Sequence, residues 1–352
     1  MPTIKEIAKH CNVSIATVSN ILNGKPNVGD ETRKRVLKAI DELDYTPNSV
    51  AKNLKMKNTR TIGVLVEDIT VFCAPEIIDG ITQCCEEKGY HVLLTNLRLY
   101  KKFNDRYYEG QEFLDIVEKE IKALLSKQVD GIIYVTAHER MLNCLPEELK
   151  IPAVMAYGYT KSKSFPSVGV DDAGGAYMIV NYIAGQGHKK IGVVTGEPQS
   201  IHTRARLLGY QKALFENQIF YNPDYIAEGD WTREGGCRAA KGLMEKGVTA
   251  IFCMNDLMAG GVYDALEEMG LKPGKDVAVA GYDNREIAGY YKPALTTIEL
   301  PLSQIGQKAC EMVIGMIDGK KNGNNPAGAG EVIEIEERGS LRIRDSVERT
   351  SE

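Results

Sequence analysis

Long apolar runs and targeting patterns are missing from this sequence. No stretch approaches the roughly 18 consecutive apolar residues that are needed to cross a bilayer. The N-terminus also lacks the charged-then-apolar pattern of a secretory signal. These features exclude a membrane-spanning or exported protein, and we expect a cytoplasmic one.

Paired cysteines and catalytic motifs are scarce as well. The eight cysteines form no Cys-x-x-Cys pair and no Cys/His cluster at zinc spacing, so free buried thiols and no metal site are expected. None of the five histidines lies in a Gly-x-Ser-x-Gly or His-Glu-x-x-His motif, and the glycines at 169, 174 and 175 form no dinucleotide fingerprint. The sequence therefore predicts neither an enzyme nor a protein with a cofactor.

Negative charge is scarce only at the start of the chain. Residues 1–60 contain eleven basic and six acidic side chains, whereas the remainder carries a net charge of −10. A basic N-terminal part on an acidic body is typical of a nucleic-acid-binding domain joined to a body that avoids phosphates. The length of 352 residues fits two or three domains.

The basic part begins with two short helical patterns. Thr3 and Glu6 form a capping-box pair, Ser14 can cap a second helix, and Gly24 can end it in a left-handed conformation. Small or polar side chains form the outward face of the second helix. This is the pattern of a helix-turn-helix whose second helix enters a DNA major groove.

The rest of the chain alternates strand and helix patterns in two consecutive series. Such alternation predicts parallel sheets that are covered by helices on both faces. We therefore predict an α/β protein with a small all-α DNA-binding domain and a two-lobed core. The expected boundaries are 1–46 for the helix-turn-helix, 47–60 for a hinge helix and linker, 61–161 with 294–322 for lobe 1, and 162–293 with 323–352 for lobe 2.

Several motifs in sequence order resemble the LacI/GalR family of bacterial transcription regulators. They include Val13-Ser-Ile-Ala-Thr-Val-Ser, Tyr45-Thr-Pro-Asn-Ser-Val-Ala-Lys-Asn-Leu, Gly187-His-Lys-Lys-Ile, Asn255-Asp256 and Gly281-Tyr-Asp283. The resemblance covers essentially the whole chain. It implies a homodimer that binds pseudo-palindromic double-stranded operator DNA through its head and a small effector between the lobes of a periplasmic-binding-protein-like core.

The resemblance assigns DNA-binding roles to residues of the head and hinge. Ile15, Ala16 and Asn20 fall where family members contact base edges, although Asn20 replaces the more usual arginine. Leu54 matches the hinge leucine that is inserted into the minor groove. Phosphate or supporting contacts are expected from the remaining positions, which are Thr3, Ser14, Thr17, Ser19 and Asn48.

The resemblance also implies effector-binding positions in the core. Arg206, Trp231, Asn255 and Asp283 match pocket positions, and such a set suits a sugar because it combines polar groups with an aromatic plate. Phe72 and Tyr157 lie at pocket positions where family members often carry other residue types.

We therefore expect a repressor of carbohydrate-utilisation genes that a mono- or oligosaccharide releases from DNA. The alternatives are a corepressor-dependent regulator that binds a purine-like ligand between Phe72 and Tyr157, and a sugar-binding protein without a regulatory role.

Overall fold

The computed structural model describes residues 2–22, 24–45, 59–104, 108, 110–160, 164–321 and 333–349. The chain divides into two compact units, Met1–Thr59 and Arg60–Glu352, and each has its own hydrophobic core. Among the described helices, none is long and apolar enough to span a membrane.

The first unit is built from three helices, α1 (Ile4–His10), α2 (Ile15–Leu22) and α3 (Asp30–Glu42). The predicted capping box is confirmed, because the Glu6 backbone N–H donates to Thr3 Oγ1 and the Thr3 N–H donates to the Glu6 carboxylate. The predicted cap at Ser14 and the left-handed Gly24 are also present. The small core consists of Ile7, Ala8, Cys11, Val18, Ile21, Val36 and Ala39.

The second unit contains a six-stranded parallel sheet with the strand order β11-β5-β4-β3-β1-β2. Its strands are β1 (Thr61–Val66), β2 (His91–Asn96), β3 (Gly131–Val135), β4 (Ala153–Ala156), β5 (Ser167–Val170) and β11 (Glu334–Glu337). The helices that belong to this lobe are α4 (Ala74–Lys88), α5 (Leu99–Phe103), α6 (Glu112–Ser126) and α11 (Leu302–Lys321). Strands β1, β3 and β4 are almost continuously apolar and buried, as expected for a sheet covered on both faces.

A four-stranded parallel sheet with the order β7-β6-β8-β9 forms the second lobe. Its strands are β6 (Ile191–Thr195), β7 (Ile226–Glu228), β8 (Ala250–Cys253) and β9 (Ala278–Ala280). The accompanying helices are α7 (Asp172–Gly185), α8 (Ile201–Glu216), α9 (Arg233–Glu245) and α10 (Asp256–Glu268). A short antiparallel pair, β10 (Thr297–Glu299) with β12 (Ser340–Arg342), continues from this lobe through bridges to Ala280 and Asp283.

The predicted lobe boundaries need three corrections. Strands β5 and β11 were expected in lobe 2 but lie in the first sheet, where β5 pairs with β4 and β11 pairs with β5. Strand β10 was expected in lobe 1 but pairs with β12 beside the second sheet. Hydrophobic alternation identifies a strand but does not choose its neighbour, because that choice depends on hydrogen bonds to residues far away in sequence.

The described chain passes between the lobes three times. It leaves the first sheet between β5 and α7, returns between β10 and α11, and leaves again between β11 and β12. These connections are bonded to one another, since the Asp171 N–H donates to the Glu337 carbonyl at 2.9 Å and Ser340 Oγ donates to Glu299 at 3.1 Å. The connections border the cleft between the lobes.

Candidate operator-reading surface and effector cleft

The second helix of the N-terminal unit, α2, carries mostly short side chains on its accessible surface. Ile15 is 45% exposed and Ala16 is also exposed, whereas Val18 and Ile21 are buried against the other helices. Thr17, Ser19 and Asn20 are half-buried on the same helix. Ile15 is the first residue of α2, and the second helix of a helix-turn-helix is the one that enters the major groove.

Three predicted phosphate-binding hydroxyls are also used inside the head. Ser14 Oγ accepts from the Thr17 N–H at 3.0 Å and lies 2.8 Å from Thr17 Oγ1, and Thr3 Oγ1 donates to Glu6 at 3.0 Å. These bonds fix the starts of α1 and α2. The predicted DNA contacts Asn48 and Leu54 lie outside the described residues.

Most of the predicted effector residues follow the carboxyl ends of strands. Phe72 follows β1 and Tyr157 follows β4, while Trp231, Asn255 and Asp283 follow β7, β8 and β9. Residues at the carboxyl ends of parallel strands line the ligand-binding crevice of open α/β sheets. The two lobes thus contribute to one cleft, which we call the effector cleft.

Arg206 on α8 organises the polar side of this cleft. Its side chain is only 4% exposed, and its Nε donates to Asp172 Oδ1 at 2.7 Å. Nη1 donates to the Met254 carbonyl and lies 3.6 Å from Asp283 Oδ1. The guanidinium carbon lies 3.8 Å from the centroid of the Tyr282 ring, in a cation–π contact.

Asp172 is held ionised by its two basic neighbours. Its burial raises the pKa, but Arg206 and His202 outweigh burial and lower the pKa of this carboxyl to about 2. His202 Nδ1 lies 2.5 Å from Asp172 Oδ2. Arg206 and Asp172 thus form a rigid charged pair, so their geometry is set before any ligand enters.

Asp283 is held less tightly than Asp172, since its ion pair with Arg206 is longer, at 3.6 Å. Its side chain is 9% exposed, and none of the described residues donates a hydrogen bond to its oxygens. Burial raises its pKa to about 6, with the charge of Arg206 acting in the opposite direction. A buried carboxylate without donors is costly, so this one is suited to hydroxyl or N–H groups of a ligand.

Trp231 packs on a glycine of its own lobe. A Cβ atom on Gly196 would lie 1.9 Å from the indole, so Gly196 leaves the space that the ring needs. The indole lies 6.5 Å from the His202 ring in an edge-on arrangement and 5.9 Å from the Arg206 guanidinium. Asn255 Nδ2 donates to the Trp231 carbonyl at 3.0 Å and Oδ1 accepts from the Met258 N–H at 2.8 Å, so Asn255 supports the tryptophan loop.

A cavity of about 530 Å³ adjoins Asp283. Phe72 and Asp283 line it, together with Arg285, Tyr291 and Leu300. Tyr157 is buried on the opposite lobe, with its ring 6.2 Å from that of His202. A cavity of this size accommodates a mono- or disaccharide or a nucleoside.

Several cleft residues were not predicted from the sequence. Asp172 and Tyr282 hold Arg206 in place, His202 contacts Asp172, and Gly196 makes room for Trp231. Asp172 begins a helix directly after strand β5, and residues at such strand-to-helix junctions often lie close to a ligand. Its contacts with α8, in contrast, could not be read from the sequence. Within the described residues, no group of three or more metal-ligating side chains was found.

Comparisons with known proteins agree with this architecture. A family model described as bacterial regulatory proteins, lacI family, matches residues 3–48, and a periplasmic binding protein-like domain model matches residues 180–347. The HTH-type transcriptional repressor PurR of Vibrio campbellii is 35% identical over 92% of this chain and 94% of its own. The PurR repressor of Salmonella paratyphi B is 36% identical over 91% and 92%.

Solved structures give the same result. The lac repressor dimer bound to operator and the anti-inducer ONPF is similar with a TM-score of 0.73 and 26% identity, over 99% of both chains. A LacI family regulator from Enterococcus faecium with bound ribose has a TM-score of 0.61 and 25% identity, over 83% of this chain and 100% of that one. Because the matched repressors span nearly the whole chain, the protein belongs to the LacI family and is a DNA-binding transcriptional repressor.

Proposed function

We propose that this repressor is a cytoplasmic homodimer whose operator binding is released by a sugar bound in the effector cleft. The Asp283 carboxylate carries the proposal, because it accepts no hydrogen bond from the described residues and vicinal hydroxyl groups of a sugar can donate to both of its oxygens. Trp231 supplies an aromatic face for the C–H side of the ring. The lac repressor and the ribose-bound regulator, which have the same fold, were solved with small molecules bound.

A nucleobase is the second candidate, since its N–H groups would also satisfy Asp283. The Tyr157 hydroxyl and the Trp231 indole N–H have no hydrogen-bond partner among the described residues, so they are available to a heteroaromatic ring. One face of Phe72 is already covered by Arg285, at 4.6 Å from the ring centroid. This contact disfavours a base stacked between Phe72 and Tyr157, and we therefore favour the sugar.

The experiment is a ligand screen read through Trp231, the single tryptophan of the chain. Mono- and disaccharides and nucleobases are titrated while indole fluorescence and thermal unfolding are followed. We expect one sugar to change both, and to weaken binding to an operator selected from random DNA by 5- to 150-fold, the usual range of allosteric coupling.

Asp283→Asn keeps the size of the side chain but loses one acceptor. We expect this variant to lower the affinity for the sugar at least tenfold, without changing operator affinity in the absence of ligand. Stabilisation by a nucleobase and by no sugar would overturn the sugar assignment. A sugar that tightens operator binding would overturn the release mechanism.

On the DNA side, we propose that Ile15, Ala16 and Asn20 read base edges and that Leu54 wedges into the minor groove. Asn20→Ala should lower the free energy of discrimination at one base pair in each half-site by about 1–3 kcal/mol, because one bidentate contact disappears. Ser19→Ala is the matched control, since loss of a phosphate contact weakens all sequences alike. Competition binding with operators substituted at each position measures both, and an equal loss on random DNA for Asn20→Ala would contradict its role.

A further inference from the structure

The loop after β9 carries a second polar group that faces the cavity. Arg285 is two residues beyond Asp283, and both side chains line the same space of about 530 Å³. The Arg285 backbone N–H donates to Asp256 Oδ2 at 2.7 Å, so the start of this side chain is fixed. A ligand that reaches Asp283 therefore lies in the same cavity as this guanidinium.

Among the described residues, no carboxylate lies within ion-pair distance of the Arg285 guanidinium, and its charge acts on Asp256 and Asp283 from further away, where it lowers their pKa values. Its guanidinium carbon lies 4.6 Å from the centroid of the Phe72 ring, which belongs to the other lobe. A cation–π contact uses none of the five N–H donors of a guanidinium, so these donors can still bind a planar or tetrahedral anion. The cavity's other arginine, Arg233, is instead occupied by two 2.6 Å bonds to Asp264.

Two acidic side chains of the cavity have partners, which are cationic for Glu299 and neutral for Glu286. Glu299 pairs with Arg342 and also accepts from Asn284 Nδ2 at 3.2 Å. Glu286 is exposed and accepts from the Tyr290 hydroxyl at 3.3 Å. For Glu76, burial and the charges of Glu299 and Asp79 raise the pKa, which favours its neutral form.

From these contacts we propose that the effector is an anionic carbohydrate, whose hydroxyl groups bind Asp283 and whose phosphate or carboxylate binds the edge of Arg285. The proposal rests on the effector cleft proposed above and adds the charge of the ligand. Because Phe72 and Arg285 come from different lobes, an anion held at this edge also reinforces a contact between the lobes.

Inorganic phosphate is the first probe, and it is compared with chloride at matched ionic strength. In the wild-type chain we expect phosphate to change Trp231 fluorescence and raise the unfolding temperature. Arg285→Gln should weaken the fluorescence response at least tenfold, whereas Arg98→Gln, at an exposed arginine outside the cavity, should leave it unchanged. An absent response in the wild type, or an equal response in Arg285→Gln, overturns the proposal.

The sugar found in the screen is then compared with its phosphorylated and its carboxylate forms. If the phosphorylated or the carboxylate form binds more tightly than the neutral sugar, and Arg285→Gln removes this advantage, the tighter form identifies the anionic group of the effector. If the neutral sugar binds as tightly as both anions, and Arg285→Gln does not weaken them, this proposal fails while the proposed function stands. If no sugar of any charge binds, the sugar assignment itself fails.

Discussion

Asp256 is a carboxyl group that folding removes from water. It accepts from Thr297 Oγ1 at 2.6 Å and from the Arg285 N–H at 2.7 Å, and it lies near the charge of Asp283. Burial raises its pKa to about 8 and the negative charge of Asp283 acts in the same direction, while the two hydrogen bonds and the charge of Arg285 oppose the rise. The folded protein thus holds a proton that the unfolded chain has lost at neutral pH.

This difference predicts a pH-dependent stability. Because unfolded Asp256 ionises near 3.8 and folded Asp256 near 8, the folded state binds more protons between these values. The free energy of unfolding should therefore fall as the pH rises from 5 to 8. Glu139, whose pKa burial raises to about 7, and Asp283 contribute with the same sign.

Urea unfolding at pH 5, 6, 7 and 8 measures this slope, and Asp256→Asn should make it shallower without abolishing it. A wild-type protein that gains stability over this range would contradict the assignment.

The site residues differ in how far sequence could identify them. Asp283, Arg206 and Trp231 were predicted from the resemblance, because the family has polar and aromatic groups at these positions. His202 could not be placed in the cleft from the sequence, since it contacts Asp172, which lies on another helix and 30 positions away, at 2.5 Å. Arg285 could not be assigned either, because its lack of an ion-pair partner is visible only once the side chains around the cavity are placed.

Among the elements, α9 and α10 pack through glycine. A Cβ atom on Gly236 of α9 would lie 2.1 Å from the Met258 carbonyl oxygen of α10, so the close approach of these helices requires a residue without a side chain. Gly242, further along α9, is exposed and has no atom within 4 Å of its Cβ position. The same helix thus contains one glycine that packing requires and one that it does not.

Alanine at these positions should have opposite effects. Gly236→Ala forces the helices apart and should destabilise the protein by about 1–3 kcal/mol, as overpacking does. Gly242→Ala should stabilise it by about 0.5–1 kcal/mol, because alanine loses less backbone entropy in a helix. Denaturant midpoints of the two variants provide the comparison, and a destabilised Gly242→Ala would show that the helix surface there is in contact after all.

Helices and strands were predicted better than their arrangement. The alternation of strand and helix patterns predicted parallel sheets covered by helices, and each lobe contains such a sheet. The segments that form β5 and β10 were assigned to the wrong lobes. Their neighbours are fixed by hydrogen bonds to β4 and β12. The sequence of a strand of three or four residues does not indicate which strand it pairs with.

For the whole molecule, the separation of the charges follows the division into two units. The basic residues of the head lie in the unit Met1–Thr59, and the acidic excess lies in Arg60–Glu352. Attraction to DNA phosphates is therefore concentrated in the smaller unit, while the larger one repels them. The sequence predicted this division because charge and hydrophobic period both change near residue 60.

The three chain crossings between the lobes have a mechanical consequence. A single tether would let one lobe tilt, slide and twist against the other, whereas three tethers bonded side by side through Asp171, Glu337 and Glu299 resist sliding and twisting. Rotation about the line of the tethers strains these bonds least, so we expect it to be the easiest motion of the lobes. Ligands of different shape should then close the cleft by the same rotation.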